Sequence, residues 1–258
     1  MAVLEVHQFP CLSDNYGYLV HDPASGETAC IDTPDADAVL AALATRNWRL
    51  SAIWNTHHHA DHAGGNLAVK AATGCEVVAP AGEADRIPGV DHAVVEGDEL
   101  ALGAHRFRVL ETPGHTAGHV IYVCAPEHLA FVGDTLFALG CGRLFEGTPA
   151  QMWRSLGKLR ELSPETRLYC AHEYTQANAR YACAVDPRNA RLATRARAID
   201  QARARGEPTV PSRLAEELVT NPFLRADDPE LQAELGLSGA PPDEVFARLR
   251  AGKDAFRG

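Results

Sequence analysis

The residues of this chain that are best suited to chemistry are histidines and aspartates in one short segment, THHHADH, at positions 56–62. The segment follows a short apolar run and precedes a helical pattern. In extended chain, residues two positions apart point to the same side, so His57 and His59 can offer their imidazoles to one ion. Once the chain turns, Asp61 and His62 can face a second ion, about 4 Å away in two-metal sites. The spacing predicts a metal-binding turn between a strand and a helix.

Three further candidate ligands, His115, Asp134 and His172, each follow an apolar run that predicts a strand. Layered α/β proteins collect active-site groups at the carboxyl ends of their strands. Together with the first four, these residues make five histidines and two aspartates without a thiolate, which suits Zn(II), Fe(II) or Mn(II). A lone histidine is usually structural, but this spacing favours a metal site.

We expect the remaining reactive side chains to have structural roles. His58 must point away from its two neighbours, so we expect it to support the site rather than bind metal. His119 is expected to orient a neighbour. Cys141 lies between two glycines without the pattern of a cysteine protease, which favours a packed thiol over a nucleophile. The motifs of serine hydrolases, P-loop proteins and dinucleotide-binding proteins do not occur.

The elements that must position these residues follow from periodicity. Strands are predicted at 3–9, 16–21, 28–32, 52–55, 76–79, 99–102, 107–111, 120–124, 129–133 and 167–171, and helices at 35–46, 62–72 and 149–162. This alternation predicts two packed sheets with helices outside, an α/β layered sandwich. After about residue 175 only helical patterns remain, at 176–184, 188–205, 212–219, 229–235 and 242–251. We therefore predict a catalytic domain over 1–174 and a helical domain over 175–258.

Composition excludes several classes of function. The chain has 258 residues, with 24 basic against 34 acidic side chains and a net charge of −10. That charge argues against nucleic acid as the partner. No run approaches the roughly 20 apolar residues of a membrane span, and the start carries no export signal. Seven scattered cysteines without a CxxC pair predict reduced thiols and a cytoplasmic protein.

The segments HHHADH, TPGHT and GDT, followed by a last His at 172, resemble the metallo-β-lactamase superfamily. The resemblance implies an αββα sandwich. It also implies two metal ions, one held by His57, His59 and His115, the other by Asp61, His62 and His172, with Asp134 bridging them.

More of the chain resembles the glyoxalase II (hydroxyacylglutathione hydrolase) family. The matching segments are GDTLF at 133–137, GCGRLFEGT at 140–148, HEYT at 172–175, TNPFLR at 220–225 and RAGKD at 250–254. This resemblance implies a C-terminal all-helical domain that binds glutathione. In the family, glutathione is held at the positions of Arg143, Tyr174, Arg250 and Lys253. Members often have Tyr at Phe145, so a hydroxyl contact is missing there.

The resemblance also implies a reaction, the hydrolysis of S-D-lactoylglutathione to D-lactate and glutathione in methylglyoxal detoxification. In this reaction a hydroxide generated by two divalent ions attacks the thioester. Zinc is the expected metal, with iron or manganese as alternatives. In this scheme His57 and His59 hold the ion that stabilises the oxyanion, while Asp61 and Asp134 anchor metal and orient the hydroxide. We expect a monomer that acts on a small molecule.

Two other interpretations stay open. The first is an iron-dependent persulfide dioxygenase of the same superfamily, which acts on a glutathione derivative with one iron held by two His and one Asp. The second is a metal-containing structural module without turnover. The sequence segment at 221–225 and the pair Arg250 and Lys253 favour the hydrolase.

Overall fold

Alternation of apolar and polar residues builds strands such as β8 (His105–Glu111), whose side chains mostly alternate between buried and exposed. A computed structural model describes residues 3–258. They form two units, the first holding residues 3–111 and 117–133 and the second residues 112–116 and 134–258.

The first unit contains a six-stranded sheet, ordered as its strands occur in the chain. The strands are β1 (Glu5–Cys11), β2 (Asn15–His21), β3 (Thr28–Ile31), β4 (Ala52–Trp54), β5 (Glu76–Pro80) and β6 (His92–Val94). The first three pair antiparallel, whereas β3 to β6 run parallel. Parallel pairing brings the carboxyl ends of β3 and β4 side by side, and the candidate ligand segment starts there.

The first unit also contains an antiparallel set of four strands that packs on this sheet. It comprises β7 (Glu99–Leu102), β8, β9 (Val120–Cys124) and β10 (Leu129–Gly133). Aromatic rings join the two layers, with the Trp54 ring 5.0 Å from that of Phe107 and 5.6 Å from that of Tyr122. Tyr18 contacts Phe131 in the same way. The predicted packing of two sheets is present in this unit.

Three helices belong to the first unit: α1 (Ala36–Arg46), α2 (Ala60–Ala63) and α3 (Asn66–Thr73). Helix α1 begins where the Asp35 carboxylate accepts hydrogen bonds from the first free backbone N–H groups. Val39 of α1 and Val69 of α3 pack with Ile53 in one buried cluster, so these helices cover the outer face of the six-stranded sheet.

The second unit is mostly helical. Its helices are α4 (Pro149–Arg160), α5 (Thr175–Val185), α6 (Ala190–Ala204), α7 (Leu214–Thr220), α8 (Pro229–Glu234) and α9 (Pro242–Ala255). Its strands form two antiparallel pairs, β11 (Leu136–Phe137) with β12 (Gly140–Cys141) and β13 (Arg167–Cys170) with β14 (Ser212–Arg213). None of the helices described here combines the length and apolar character that crossing a membrane requires.

Several sequence predictions need correction. The helix predicted at 62–72 is two helices, α2 and α3, separated by Gly64 and Gly65. The region after residue 175 is not entirely helical, because β14 pairs with β13. The strands β6, β11 and β12 were not predicted either. The strands β11 and β12 have two residues each, and β6 has three of which two are exposed, so none of them shows a period-two pattern. The domain boundary at 174 stays a prediction.

Candidate active site

The candidate ligands of the first unit follow the paired carboxyl ends of β3 and β4. Asp32 follows β3, is nearly fully buried, and adopts a left-handed backbone conformation with φ of 58°. Its carboxylate accepts hydrogen bonds from the backbone N–H and the hydroxyl of Thr56, each at 2.8 Å, and from Nδ1 of His62 at 2.8 Å. The carboxylate therefore fixes which nitrogen of His62 carries the proton and leaves Nε2 for a ligand role.

The same network orients His57. The Thr56 hydroxyl donates to Asp32, so it can accept the Nδ1–H of His57, 3.0 Å away. His57 Nε2 then lies 3.1 Å from Nδ1 of His59. The predicted i, i+2 pair thus presents two imidazole nitrogens to one point, as a shared ion requires.

Asp61 is held at the start of α2. The Asn15 amide donates to the backbone carbonyl of Asp61 at 3.2 Å and to its carboxylate at 3.3 Å. The same carboxylate oxygen lies 3.7 Å from Nε2 of His62. Asp61 and His62 therefore form a second pair of candidate ligands in this unit.

A close backbone approach explains the glycine at 65. The Gly65 N–H donates to the Thr33 carbonyl at 2.9 Å, and a Cβ at Gly65 would lie 2.7 Å from that oxygen. The Thr33 N–H in turn donates to the His62 carbonyl at 2.7 Å. Any larger residue at Gly65 would push the ligand-bearing turn away from β3.

His58 turns away from the candidate ligands. Its backbone N–H and its Nδ1 both contact the buried carboxylate of Glu83, at 2.8 and 2.7 Å. The second oxygen of Glu83 accepts from the Gly118 N–H at 2.8 Å. The His119 ring stacks 4.8 Å from that of His57. His58 therefore points away from the candidate ligands, as its position in the sequence predicted, whereas the orienting role of His119 stays a prediction.

The second unit supplies three candidate ligands. Nε2 of His115 lies 3.3 Å from one oxygen of Asp134, and Nε2 of His172 lies 3.4 Å from the other. His115 Nδ1 donates to the Arg143 carbonyl at 2.9 Å, which keeps Nε2 for binding. One carboxylate thus stands between two imidazoles, an arrangement suited to a bridging ligand.

Position 142, which lies against Asp134 and His115, accepts only glycine. A Cβ at Gly142 would lie 2.0 Å from the Asp134 carbonyl oxygen and 3.1 Å from Nδ1 of His115. The backbone between the candidate ligands and Arg143 can pass there only without a side chain.

In the first unit the facing ring nitrogens of His57 and His59 lie 3.1 Å apart, and a carboxylate oxygen of Asp61 lies 3.7 Å from Nε2 of His62. In the second unit the two carboxylate oxygens of Asp134 lie 3.3 and 3.4 Å from Nε2 of His115 and His172. Imidazole nitrogens and carboxylate oxygens at such separations, without thiolate, are the donors that divalent zinc, iron and manganese prefer. The residues present therefore fit divalent metal ions.

Four of the predicted glutathione-binding residues lie in the second unit, as its candidate metal ligands do. Two of the four are aromatic and two are basic. The Tyr174 ring stacks on that of His172 at 4.7 Å, with 2° between the planes. The Phe145 ring is 62% exposed and meets the His115 ring edge-on at 5.3 Å. Arg250 is buried and donates to the Cys141 carbonyl at 2.8 Å, while Arg143 is exposed.

Lys253 lies within a basic group. Burial, followed by the charges of Arg250, Arg180 and Arg143, lowers the pKa of its ammonium to about 8. Nζ donates to the Ala177 carbonyl at 2.9 Å. Burial also raises the pKa of the Cys141 thiol to about 11, so this cysteine is a protonated packed thiol, as the sequence predicted.

Sequence reasoning missed Asp32 and Glu83, which orient the histidine segment. For Asp32 a signal was present, since it is the last residue of the strand predicted at 28–32 and so stands at the carboxyl end of a strand, as Asp134 does. Glu83 follows the predicted strand at 76–79 only after a short turn, and nothing in its neighbours points to His58.

Two family models match this chain. Residues 22–172 match the metallo-beta-lactamase superfamily, and residues 173–256 match the hydroxyacylglutathione hydrolase C-terminus. The two matches meet without a gap and extend almost to the end of the chain.

Similar proteins are known over the full length. Hydroxyacylglutathione hydrolase from Maricaulis maris is 57% identical over 256 residues, which cover 99% of this chain and 100% of the relative. The protein of that name from Methylococcus capsulatus is 56% identical over 256 residues, with the same coverage. The crystal structure of TTHA1623 in a di-iron-bound form has a TM-score of 0.61 and 25% identity, covering 85% of this chain and 100% of that one.

Proposed function

Since the chain belongs to the hydroxyacylglutathione hydrolases of the metallo-beta-lactamase superfamily, we propose that it hydrolyses S-(2-hydroxyacyl)glutathione, chiefly S-D-lactoylglutathione. The products are D-lactate and glutathione, as methylglyoxal detoxification requires. One contact carries this proposal: Tyr174, a candidate glutathione contact, stacks on His172, a candidate metal ligand. Substrate recognition and metal binding then occur side by side.

The proposed cofactor is a pair of divalent ions, zinc in the first place and iron or manganese as alternatives. His57, His59 and His115 would hold one ion and Asp61, His62 and His172 the other, with Asp134 shared between them. The pairs His57 with His59 and Asp61 with His62 in the first unit support this division, as does the place of Asp134 between His115 and His172 in the second. A structural relative solved with two irons bound supports it as well. When bound, such a pair supplies a water of lowered pKa and polarises the thioester carbonyl.

The side chains then have separate tasks. Asp61 and Asp134 accept hydrogen bonds from the attacking water and orient it toward the thioester carbon. As the water oxygen bonds to the thioester carbon, the water loses its protons to solvent. The C–S bond breaks, and glutathione leaves as a thiolate that takes a proton from solvent. A thiol of pKa about 8.5 leaves without a general acid, so the reaction needs no further titrating residue.

Glutathione carries two carboxylates, and the second unit offers basic side chains to receive them. Arg143 is exposed and lies 3.9 Å from the Asp254 carboxylate, at a distance and exposure that let it turn to a ligand carboxylate. The buried Arg250 donates to the Cys141 carbonyl and to Asp254, and the half-buried Lys253 donates to the Ala177 carbonyl. Charge-assisted hydrogen bonds from such groups hold carboxylates in an otherwise acidic protein. Phe145 and Tyr174 would contact the glutathione backbone, Phe145 by its ring alone.

The dioxygenase alternative is disfavoured, because residues 173–256 match the C-terminal region of the hydrolase family. We further propose a cytoplasmic monomer with a catalytic domain over 1–174 and a glutathione-binding domain over 175–258. Seven cysteines without a disulfide support a reducing compartment. The net charge of −10 supports a small-molecule substrate over nucleic acid.

Metal analysis combined with a thioesterase assay tests this function. Purified protein loaded with zinc should contain two ions per chain and should consume S-D-lactoylglutathione with release of free thiol. Chelation should abolish turnover, and added metal should restore it. Metal-loaded protein that leaves the thioester intact, or that consumes oxygen with glutathione persulfide, would contradict the proposal.

The low pKa of Lys253 predicts a pH dependence of substrate binding. Below pH of about 8 the ammonium is charged and can pair with a carboxylate, whereas above it the charge is lost. We therefore expect KM to rise about three- to tenfold between roughly pH 7 and pH 9, equivalent to about 1 kcal/mol. Steady-state kinetics over this range, corrected for spontaneous thioester hydrolysis, provide the measurement.

Lys253→Arg is the control for this titration, because a guanidinium stays charged over the whole range. Its KM should change less with pH than that of the natural chain, and the KM of Lys253→Met should be high throughout. An unaltered pH profile in both variants would exclude Lys253 as the titrating group.

A further inference from the structure

The TNPFLR segment at 220–225 lies apart from the candidate ligands in the sequence, yet its asparagine contacts the hairpin β11–β12 in the second unit. The Asn221 amide donates to the Phe137 carbonyl at 3.2 Å and to the Gly140 carbonyl at 3.0 Å. Its side-chain oxygen accepts from the Phe223 N–H at 3.0 Å, which caps a short 3₁₀ helix. Asn221 is fully buried. The Asn221 side chain therefore donates a hydrogen bond to each strand of the hairpin.

Glu217 completes this support from α7, one helical turn earlier. It is fully buried, and one carboxylate oxygen accepts from the Leu139 N–H at 2.9 Å and from the Asn221 amide at 3.1 Å. The other oxygen pairs with Arg195 of α6. A buried carboxylate is retained only where hydrogen bonds and an opposite charge offset its desolvation, and both are present here.

The hairpin turn needs this support because its backbone is unfavourable. Leu139 has a φ of 57°, a left-handed conformation that a large residue rarely adopts. Such a residue persists only where its surroundings determine it. The Leu139 N–H is held by Glu217, and the preceding Ala138 carbonyl accepts from the Asn178 amide at 3.1 Å.

The hairpin in turn contacts the candidate glutathione residues. The Phe137 ring meets the Tyr174 ring edge-on at 5.3 Å and the His172 ring at 5.8 Å. At the other strand, the Cys141 carbonyl accepts from Arg250 at 2.8 Å. A shift of the hairpin would therefore move the partners of both Tyr174 and Arg250.

We propose that Asn221 and Glu217 are positioning residues for substrate binding, which set the hairpin β11–β12 and through it Tyr174 and Arg250. This inference rests on the proposed hydrolysis of a glutathione thioester. It gives the TNPFLR segment a function in glutathione recognition without direct contact to the substrate. Small errors in the placement of binding groups have large kinetic effects.

Asn221→Ser tests the proposal. Serine keeps a cap for the 3₁₀ helix but removes both donors to the hairpin. We expect KM for S-D-lactoylglutathione to rise about tenfold or more, with the inhibition constant of free glutathione rising in parallel. The value of kcat should stay within about threefold, since lost binding of this kind affects KM, and the metal content should be unchanged.

Asn189→Ser is the matched control. Asn189 also caps a helix, accepting from the Leu192 N–H at 3.0 Å, and also donates to a backbone carbonyl, that of Val219, at 2.9 Å. Its side-chain hydrogen bonds go to Asp186, Leu192 and Val219, none of which belongs to the hairpin, so its variant should lose thermal stability without a change in KM. If Asn221→Ser does not fold, Asn221→Thr keeps a cap oxygen and more of the volume, adds no charge beside Glu217, and should show the same rise in KM.

The outcomes separate the two proposals. Natural protein that fails to cleave the thioester when loaded with metal would contradict the proposed function itself. Active natural protein together with a normal KM in the folded Asn221 variant would overturn only the positioning role. An equal rise in KM in Asn189→Ser, or a rise that follows loss of metal, would show a general structural effect and would also overturn it.

Discussion

Replacing Asp134 by Asn is expected to lower kcat for the thioester by about 10³-fold, the upper range for loss of one preorganised electrostatic contact. The two carboxylate oxygens of Asp134 lie 3.3 and 3.4 Å from Nε2 of His115 and His172. Asparagine keeps the volume but offers one oxygen and one NH₂ group, so it cannot serve two ions. Metal content should fall below two ions per chain, measured together with kcat at saturating substrate.

The control for this variant is Asp200→Asn. Asp200 is exposed on α6 and accepts a hydrogen bond from the Gln176 amide at 2.7 Å. The control removes the same charge from the chain, so it corrects for the change in net charge. Equal activity of the two variants would exclude Asp134 from the metal site.

The second large effect is expected for Asp32→Asn, which should weaken metal binding by roughly 10- to 100-fold, as is usual when the partner of a ligating histidine is changed. Asparagine can still accept from the Thr56 N–H, and it tolerates the left-handed backbone at this position. Its NH₂ group, however, would face Nδ1 of His62 and favour the tautomer with the proton on Nε2. That nitrogen then cannot bind an ion.

Competition with a chelator measures this effect, and excess metal should restore most of the activity of Asp32→Asn. Asp35→Asn is the control, because Asp35 lies three residues away and caps α1 by accepting hydrogen bonds from the N–H groups of Asp37 and Ala38. If Asp32→Asn binds metal as tightly as Asp35→Asn, the orientation of His62 does not depend on the carboxylate.

The longer elements could be predicted from the sequence, because burial on one face repeats in them. In β8 the burial alternates along the first five of its seven residues, and α1 is marked by the Asp35 cap at its start. The helix predicted at 62–72 is interrupted at Gly64 and Gly65. There the backbone contact of Gly65 with Thr33 outweighs the helical periodicity.

The sequence could predict those site residues whose spacing or preceding strand is visible within a short stretch of the chain. The spacing of His57, His59, Asp61 and His62 lies within one turn, and the later ligands each follow an apolar run. Glu217 and Asn221 carry no such signal, since their partners in the hairpin are about 80 positions away in the chain.

The sequence by itself therefore determined the residue types, the metal chemistry that they allow and the strand ends that carry them. The tertiary structure decided which nitrogen each histidine presents, through Asp32, Thr56 and the Arg143 carbonyl. It also decided which buried side chains hold the hairpin β11–β12. The reason is physical: periodicity and spacing report on neighbours along the chain, whereas the hydrogen bonds that orient a side chain depend on groups that only folding brings within 3 Å.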